Sequence, residues 1–447
     1  MKKTILFDIF PASGHYNASF AIAEKLKLAG HNVVFCVNKE FEAKVEKSGF
    51  SSVIACSRFT GSVYYKGISH IIEFFTNARK KVFEEKVTDF NETVKKINPD
   101  IVILDSQLSL KIIAYHMLKI PVVFMETKPL SVYDPWVPPF TSDMVPQKKI
   151  FSLLRIQYLW YKVLLFRKLD IYKSKILCLG NDNYTLHKNL AAKYNFEFSQ
   201  RIDLKRPFII GFKEVDILSM TPSCFDFPRK HSVSCYFAES RVNIKREDIC
   251  SRRYLSVIEK FEQRKKELAD TRLVYCSLGT VSSGGKRYNI FFKKMKELCE
   301  ISLNCIFIMS VGERYDITRL LPLPSNMFVF QWVPQLDILC HSDVMITHGG
   351  MNSIAECIGQ EVPMLVFPLS LRWDQPGNAA RVEYHGLGIK GNIQKNNVKS
   401  INLKLQKLFR EHQFYKKNLS CMKSKMISDK EKKPEWWKLL NQPKLIT

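Results

Sequence analysis

The sequence lacks the patterns that identify several common classes of protein. Its 12 cysteines form no Cys-x-x-Cys pair and no cysteine and histidine cluster at zinc-binding spacing, so we expect reduced core cysteines and no structural zinc. No apolar run reaches the roughly 18 residues that a membrane-spanning helix needs. The apolar run after Lys3 is short and is interrupted by Asp8, which favours a buried first strand over a signal peptide.

Acidic residues are scarce relative to basic ones. The chain has 68 Lys and Arg against 43 Asp and Glu, which gives a formal net charge of +25. Such a surface can bind nucleic acid, contact an anionic membrane, or reflect a lysine-rich composition without a specific partner. Because the sequence shows no RNP, helix-turn-helix or zinc-finger pattern, we expect no nucleic-acid partner.

The length and the order of apolar segments predict two α/β domains. A chain of 447 residues exceeds one ordinary core, so two domains of roughly 200 residues are expected. Strand-like and helix-like segments alternate, which predicts parallel sheets with helices on both faces. The predicted strands are 4–10, 32–37, 101–104, 122–125, 273–277, 305–310, 328–330, 344–347 and 364–367, and the first helix is 18–28. The predicted units are a first domain at 1–245, a linker at 246–270, a second domain at 271–415 and a helical tail at 416–447.

The densest group of polar and glycine residues within the apolar pattern lies between Trp332 and Asn378. There a short strand at 344–347 is followed by a tight turn at 348–350 and by a helix that opens with Met351. This arrangement directs free backbone N–H groups and the positive end of a helix dipole at an anion. Glycines in the turn let the backbone approach a diphosphate closely. The pattern predicts a site for a small polar ligand with a charged part, such as a nucleotide sugar.

Three separated segments resemble one protein family. The segment from Trp332 is similar to the donor-binding signature of the family-1, UDP-dependent glycosyltransferases. The matching residues are Trp332-Val333-Pro334-Gln335, Ser342-Asp343-Val344, Thr347-His348-Gly349-Gly350-Met351-Asn352-Ser353, Glu356, Gly359, Pro363, Asp374-Gln375 and Asn378-Ala379. Tyr275 to Thr280 resembles the opening of that family's donor domain, and Gly14-His15 the start of its acceptor domain. The resemblance implies the GT-B architecture, two Rossmann-like domains facing each other across a cleft, with a terminal helix that crosses back to the first domain.

The resemblance also implies roles for the donor-site residues. Trp332 would stack on the base, Gln335 would contact the base or ribose edge, and Glu356 would accept the ribose hydroxyls. The diphosphate would be held by Thr280, His348, Asn352 and Ser353, the sugar hydroxyls by Asp374 and Gln375, and Val333 and Gly350 belong to the same motifs. Cationic and dipolar groups would then meet the charge that develops on UDP. We therefore expect no metal and no separate cofactor, and no Asp-x-Asp pair occurs in this window.

Two first-domain residues match the family's catalytic pair. An acceptor hydroxyl is a poor nucleophile, so a base must take its proton as it attacks the anomeric carbon. His15, which we place in the loop after the first strand, is suited to this, and a buried Asp105 would orient the imidazole and stabilise its protonated form. For each residue the alternative is a structural role, a loop histidine and a helix N-cap aspartate.

The segment 148–175 mixes aromatic and basic side chains and has two interpretations. Its residues include Phe151, Leu154, Tyr158, Trp160, Tyr161, Leu165 and Phe166 together with Lys148, Lys149, Arg155, Lys162, Arg167, Lys168, Lys173 and Lys175. Such a helix lies either on an anionic membrane surface or beside an acceptor pocket with its lysines extended to water. We favour the second interpretation, which leaves peripheral membrane contact as the alternative.

The expected protein is a cytoplasmic, metal-independent, inverting transferase of the soluble bacterial type. It would move a hexose, with glucose from UDP-glucose as the favoured case, to a hydroxyl of a lipophilic small molecule. The alternatives are a nucleotide-sugar epimerase, which should lack the Trp-x-Pro-Gln and Asp-Gln motifs, and a non-catalytic partner that binds nucleotide sugars. The acceptor, the choice between UDP and dTDP, and the oligomeric state stay open.

Overall fold

The molecule contains two parallel β-sheets, each in its own α/β domain. The computed structural model describes residues 2–55, 58–59, 78–206, 208–230, 235–238, 250–279, 286–313, 315–431 and 438–441. The first domain has a seven-stranded sheet in the order β3-β2-β1-β4-β5-β6-β7, and the second a six-stranded sheet in the order β10-β9-β8-β11-β12-β13. Every strand pair is parallel. The predicted α/β class and GT-B architecture are confirmed.

The first domain alternates strands with helices along the chain. Its strands are β1 Thr4–Asp8, β2 Asn32–Val37, β3 Ser51–Ile54, β4 Ile101–Asp105, β5 Val122–Glu126, β6 Ile217–Ser219 and β7 Cys235–Phe237. Its helices are α1 Ser13–Leu28, α2 Lys39–Lys47, α3 Ala78–Ile97, α4 Ile112–Met117, α5 Ile150–Leu177, α6 Asn183–Lys193 and α7 Phe198–Arg201, with 3-10 turns at Ser106–Lys111 and Ser223–Phe225. Buried apolar clusters cover both faces of the sheet, which is why its central strands β1, β4 and β5 are apolar except at their ends.

The second domain repeats this pattern. After α8 Arg252–Glu267, its strands are β8 Arg272–Ser277, β9 Cys305–Ser310, β10 Met327–Phe330, β11 Val344–Thr347, β12 Met364–Val366 and β13 Gly388–Lys390. Its helices are α9 Lys286–Ile301, α10 Gln335–His341, α11 Met351–Gln360, α12 Gln375–Tyr384, α13 Val398–Arg410 and α14 His412–Glu431, with a 3-10 turn at Ile317–Leu320. A last helix, α15 Lys438–Asn441, buries Leu439 and Leu440 in the core of the first domain. Among the described residues, no helix is both long enough and apolar enough to cross a membrane.

Each sheet reverses its strand order at one point, and the site residues follow the strands there. In the first sheet the reversal lies between β1 and β4, and in the second between β8 and β11. Loops at the carboxyl ends of strands on either side of such a reversal form a crevice that binds ligands in open α/β sheets. His15 follows β1, Asp105 ends β4, and His348 follows β11. The topology therefore places the predicted residues of each domain at its own crevice.

The start of the first helix differs from the sequence prediction. Helix α1 begins at Ser13 rather than Ala18, so His15 lies in its first turn and not in a loop. Ala12 has the extended conformation of an N-cap residue although its side chain makes no cap hydrogen bond. Gly14 is tolerated because the first backbone N–H groups of a helix have no partners within it. The expected helix start was wrong because neither Ala12 nor Gly14 is a strong start signal.

A buried ion pair joins the two domains. Arg381 of α12 donates from Nε and Nη2 to Asp226 Oδ1 at 3.0 and 2.6 Å, and Arg229 donates from Nε to Asp226 Oδ2 at 3.0 Å. Arg229 also donates to the carbonyl oxygens of Leu130 and Val132, which fixes the aspartate to the first domain. Burial alone would raise the pKa of Asp226, but Arg381 and Arg229 outweigh it and hold that pKa below its ordinary value.

Asp226→Ala is expected to lower the free energy of unfolding by about 3–5 kcal/mol, because it leaves the fully buried Arg381 without its counter-ion. The pKa of Asp226 is lower in the folded than in the unfolded protein. The stability that the ionised carboxylate contributes is therefore complete at pH values above the pKa of the unfolded state, and it is lost as the pH falls through the pKa of the folded state. Urea denaturation measures the change. The control is Asp316→Ala, which removes an exposed ion pair with Arg319 and the cap of the 3-10 turn at Ile317–Leu320, and it should lower the free energy of unfolding by only about 1 kcal/mol. Equal midpoints for the two variants would contradict this role.

Candidate functional site

A histidine and an aspartate from neighbouring strand ends form a pair in the first domain. His15 Nδ1 donates to Asp105 Oδ2 at 2.6 Å, and the Asp105 side chain is only 1% exposed while that of His15 is 22% exposed. The second carboxylate oxygen of Asp105 accepts from the backbone N–H of Gln107 at 2.9 Å. A buried, hydrogen-bonded carboxylate fixes the tautomer and the orientation of the imidazole. The other ring nitrogen, Nε2, is thereby the one that can accept a proton from a bound ligand.

The glycine turn after β11 is shaped around a second histidine. Gly279 and Gly349 have φ angles of +74° and +90°, which residues with a side chain rarely adopt. A Cβ atom on Gly279 would lie 2.8 Å from His348 Cε1, and one on Gly350 would lie 2.8 Å from His348 Nε2. These glycines therefore make room for the imidazole, which lies directly before the N-terminus of α11 at Met351.

Burial keeps His348 neutral. It lowers the pKa of this imidazole to about 4, and Nδ1 is shielded from solvent with no hydrogen-bond partner among the described residues. The unliganded protein therefore presents a neutral ring at physiological pH. The sequence-based expectation of a cationic group here was wrong because the glycine turn desolvates the ring without giving it a carboxylate partner. His348 would act as a hydrogen-bond donor beside the free N–H groups of α11.

Three of the predicted donor-site side chains form one hydrogen-bonded group. Gln335, the first residue of α10, donates from Nε2 to Ser353 Oγ at 3.2 Å and also to Glu356 Oε2. Tyr275 of β8 donates from its hydroxyl to Gln335 Oε1 at 3.3 Å. These contacts fix the orientation of the Gln335 amide. They also hold the Glu356 carboxylate of α11 in place, and Trp332, which precedes Gln335 by three residues in the chain, is 49% exposed.

The loop before α12 holds a buried carboxylate next to the glycine turn. Asn378 Nδ2 donates to Asp374 Oδ2 at 2.8 Å and to the carbonyl of Gly349 at 2.9 Å, which joins the two loops. Gln375 Oε1 accepts from the backbone N–H groups of Leu369 and Ser370, so only its Nε2 group is left for a ligand. Burial raises the pKa of Asp374, while the Asn378 bond and the charges of Lys128 and His15 partly offset it. Lys128 and His15 belong to the first domain, so ionisable groups of the two domains lie close enough here to affect one another electrostatically.

Comparisons with known proteins agree with this geometry. The family model of UDP-glucoronosyl and UDP-glucosyl transferases matches residues 248–435. The uncharacterized UDP-glucosyltransferase YojK of Bacillus subtilis is 24% identical over 395 residues, covering 86% of this chain and 84% of that protein. The NDP-glycosyltransferase YjiC of the same organism is 25% identical over 389 residues, covering 85% and 82%. Residues 248–435 therefore carry the signature of that transferase family, and the chain is a glycosyltransferase.

The fold of this glycosyltransferase extends over the whole length of a solved relative. The glycotransferase of kitacinnamycin superposes with a TM-score of 0.60 at 19% identity, covering 96% of this chain and 95% of that one. The family match at 248–435 includes every predicted donor-site residue, whereas His15 and Asp105 lie outside it. Of the donor set, Thr280 lies outside the described residues, Val333 is buried in the core of the second domain, and Asn352 is exposed at the start of α11.

A lysine that the sequence analysis missed lies between the two halves of the site. Lys128 is only 7% exposed, and its ammonium lies 5.0 Å from the centre of the Phe140 ring. Burial lowers its pKa, while Glu126, Asp105 and Asp374 oppose that shift. Because Lys128 follows β5, the neighbour of β4 in the sheet, its strand end faces the same edge as Asp105. That position was the available signal in the sequence.

Proposed function

We propose that this glycosyltransferase moves a hexose, glucose from UDP-glucose in the favoured case, to a hydroxyl of a lipophilic small molecule with inversion and without a metal ion. The observation that supports this best is the hydrogen-bonded His15–Asp105 pair of the first domain, in which His15 lies close enough to Asp374 of the second domain for its charge to affect that carboxyl. A base on one domain and a diphosphate cradle on the other are the two parts that a direct displacement needs.

His15 is the proposed base. Its Nε2 accepts the proton of the acceptor hydroxyl while the hydroxyl oxygen forms a bond to the anomeric carbon and the bond from that carbon to the diphosphate oxygen breaks. Attack from the face opposite the leaving group inverts the anomeric centre, so an α-linked donor gives a β-linked product. Asp105 stabilises the imidazolium that forms, and Thr127 Oγ1, 3.2 Å from His15 Nδ1, limits rotation of the ring.

The donor half would neutralise the leaving group with hydrogen bonds. In this proposal the diphosphate lies between His348 and the first backbone N–H groups of α11, and it gains negative charge there as the glycosidic bond breaks. On one side of the diphosphate Trp332, Gln335 and Glu356 would hold the nucleoside, and on the other Asp374 would hold the sugar hydroxyls. The family name supports a nucleoside diphosphate donor in general, and UDP in particular is part of the proposal.

Aromatic side chains support a lipophilic acceptor. The Phe10 ring lies 5.2 Å from the His15 ring, so an acceptor that reaches the base contacts an apolar surface. Phe208 is also partly exposed and packs on the buried Phe140 with ring centres 4.2 Å apart. Burial of apolar acceptor area against Phe10 and Phe208 would contribute binding energy without a specific polar contact.

Loss of the Trp332 ring is expected to weaken UDP binding by about 1–3 kcal/mol, the usual contribution of stacking on a base. Glu356→Ala should also weaken UDP binding, whereas Asp374→Ala should change the preference among UDP-sugars and spare the affinity for UDP. Isothermal titration calorimetry with UDP measures the UDP affinity of each variant, and the same titration with different UDP-sugars measures the preference among them. Trp136→Ala, which removes a similarly exposed indole from the first domain, is the control and should bind UDP normally. Unchanged UDP affinity in both Trp332→Ala and Glu356→Ala would place the donor site elsewhere.

An acceptor panel assay tests the proposed reaction. The enzyme is incubated with UDP-glucose and flavonoids, macrolides, carotenoids, sterols and pigments, and the products are analysed by mass spectrometry for an added hexose. A β-linked hexose on one acceptor class supports the proposal. Conversion of the sugar without an acceptor would indicate an epimerase, and UDP-glucose binding with no turnover on any acceptor would indicate a non-catalytic binding protein.

A further inference from the structure

Helix α5, Ile150–Leu177, is attached to the first domain by one side only. The buried residues on that side are Ser152, Ile156 and Trp160. Trp160 donates from Nε1 to the carbonyl of Val137 at 2.8 Å, and Arg167 donates from Nη1 to the carbonyl of Arg206 at 3.0 Å. These bonds fix the rotation of the helix about its axis. The opposite side is consequently held toward solvent along the full length of the helix.

That opposite side is an apolar stripe. Its members are three or four residues apart, which places them on one side of a helix, and their exposed fractions range from 40% to 65%. They are Leu154, Tyr158, Tyr161, Leu165, Leu169, Tyr172 and Ile176. Phe151 and Phe166 lie near its edge with exposures of 81% and 57%. Contiguous exposed apolar surface of this kind marks a contact site, because isolated exposed residues would not follow helical spacing.

Basic side chains border the apolar stripe on both sides. At roughly 100° per residue, Arg155, Lys162 and Lys173 lie along one border, and Lys168 and Lys175 lie along the other. The ammonium of Lys162 lies 5.8 Å from the ring centres of Tyr158 and of Phe166, so cation and aromatic groups interleave. Asp170 is the one acidic residue of the helix.

The charges decide between two occupants of the apolar stripe. In a pair of such helices from two copies of this chain, the basic borders would face each other and repel, with one aspartate per helix to compensate. An anionic bilayer surface instead provides negative head groups for the borders and acyl chains for the stripe, and tyrosines suit the boundary between them. The net charge of +25 adds long-range attraction to the same partner.

We propose that α5 lies in the plane of an anionic lipid bilayer, with the apolar stripe at the boundary of head groups and acyl chains. The helix does not span the bilayer, since its basic residues recur along its whole length. The sequence pattern favours an ordinary helix beside the acceptor pocket. The exposure of the apolar stripe in the structure favours contact with a bilayer instead. The inference stands on α5 alone and does not depend on the proposed reaction.

The test is sedimentation of the full chain with vesicles. Vesicles of phosphatidylglycerol and phosphatidylcholine should bind the protein at low salt. Vesicles of phosphatidylcholine alone should bind it with an affinity that is lower by about tenfold or more. The variant Tyr158→Gln, Leu165→Gln, Tyr172→Gln should lose about tenfold or more of the vesicle affinity, since it removes apolar area but no charge. Its control is Leu28→Gln, Leu303→Gln, Leu403→Gln, three leucines at least 71% exposed elsewhere, which should bind as the parent does.

A second pair of variants tests the basic borders. Lys162→Gln, Lys168→Gln, Lys173→Gln should weaken binding to the anionic vesicles about tenfold or more and reduce its salt dependence. The matched control, Lys95→Gln, Lys96→Gln, Lys266→Gln, removes the same charge from α3 and α8. Circular dichroism of each variant establishes that it is folded.

Three results would overturn the proposal. The first is a parent chain that stays in solution with anionic vesicles at low salt. The second is equal vesicle binding by the α5 variants and their controls. The third is a dimer in sedimentation velocity that the apolar α5 variant converts to a monomer while vesicle binding is unchanged, which would assign the apolar stripe to a second copy of the chain.

Discussion

Replacing His15 by alanine is expected to lower turnover roughly 10²–10⁴-fold and to leave the affinity for UDP nearly unchanged. The imidazole belongs to the first domain and is held by Asp105 at 2.6 Å, whereas the proposed nucleotide contacts all belong to the second domain. A variant without the ring therefore still binds UDP but has no group to accept the acceptor proton. Initial rates with a saturating acceptor and calorimetry with UDP measure the two quantities separately.

Two further variants separate a base from a structural histidine. Asp105→Ala should lose less activity than His15→Ala, because Asp105 orients and stabilises the imidazolium but takes no proton from the substrate. His31→Ala removes a histidine that follows the far end of the same helix and accepts from the backbone N–H of Lys3, and it should retain full turnover. Near-native turnover of His15→Ala would show that the base is another group.

The donor half was the part of the site most open to prediction from sequence. Its residues come from one window, and the strand, glycine turn and helix that hold them are contiguous, so their proximity follows from local geometry. The structure indeed joins Gln335, Ser353 and Glu356 by hydrogen bonds and links Asn378 to Gly349. Which of these atoms contact the donor is a prediction that the UDP titrations address.

The proposed catalytic pair could be predicted for a different physical reason. His15 and Asp105 are 90 residues apart, but His15 follows β1 and Asp105 ends β4, and the carboxyl ends of adjacent parallel strands meet at one edge. Lys128 lies at the same edge and was missed, because a single lysine after a strand is more often a solvated residue than a buried one. Its burial depends on Phe140 and the second domain, and no local pattern encodes that contact.

The strands that the sequence pattern did not predict are short or lie at sheet edges. β6, β7 and β13 have three residues each and β3 has four, so none is long enough to show a period. The charge state of His348 was mispredicted for a related reason. A lowered pKa requires knowledge of which groups surround the ring, and in this chain glycines that lie far apart in sequence, Gly279 and Gly350, close around it.

Replacing His348 by alanine is expected to lower turnover about 10²–10³-fold, the usual cost of removing one donor to a developing oxyanion. The affinity for UDP-glucose should fall much less, because the charge on the leaving diphosphate is largest in the transition state. With a pKa of about 4 the unliganded imidazole is neutral from pH 6 to pH 8, so the ratio of parent to variant kcat/KM, which reports the protonation state of the free enzyme, should be the same at both pH values. A ratio that is much larger at pH 6 would show that the ring acts as a cation.

The same reaction is expected to continue in EDTA with unchanged turnover, since we propose that the His348 ring and the N–H groups at the start of α11 stabilise the diphosphate. A divalent ion would have to displace these donors from the oxygen atoms that they are proposed to contact, and added Mg²⁺ should therefore give no large increase in rate. The control is His341→Ala, which removes a partly exposed histidine at the end of α10 and should keep both full turnover and resistance to EDTA. Complete loss of activity in EDTA that Mg²⁺ or Mn²⁺ restores would mean that a metal ion, and not His348 with the helix N-terminus, meets the charge on the leaving group.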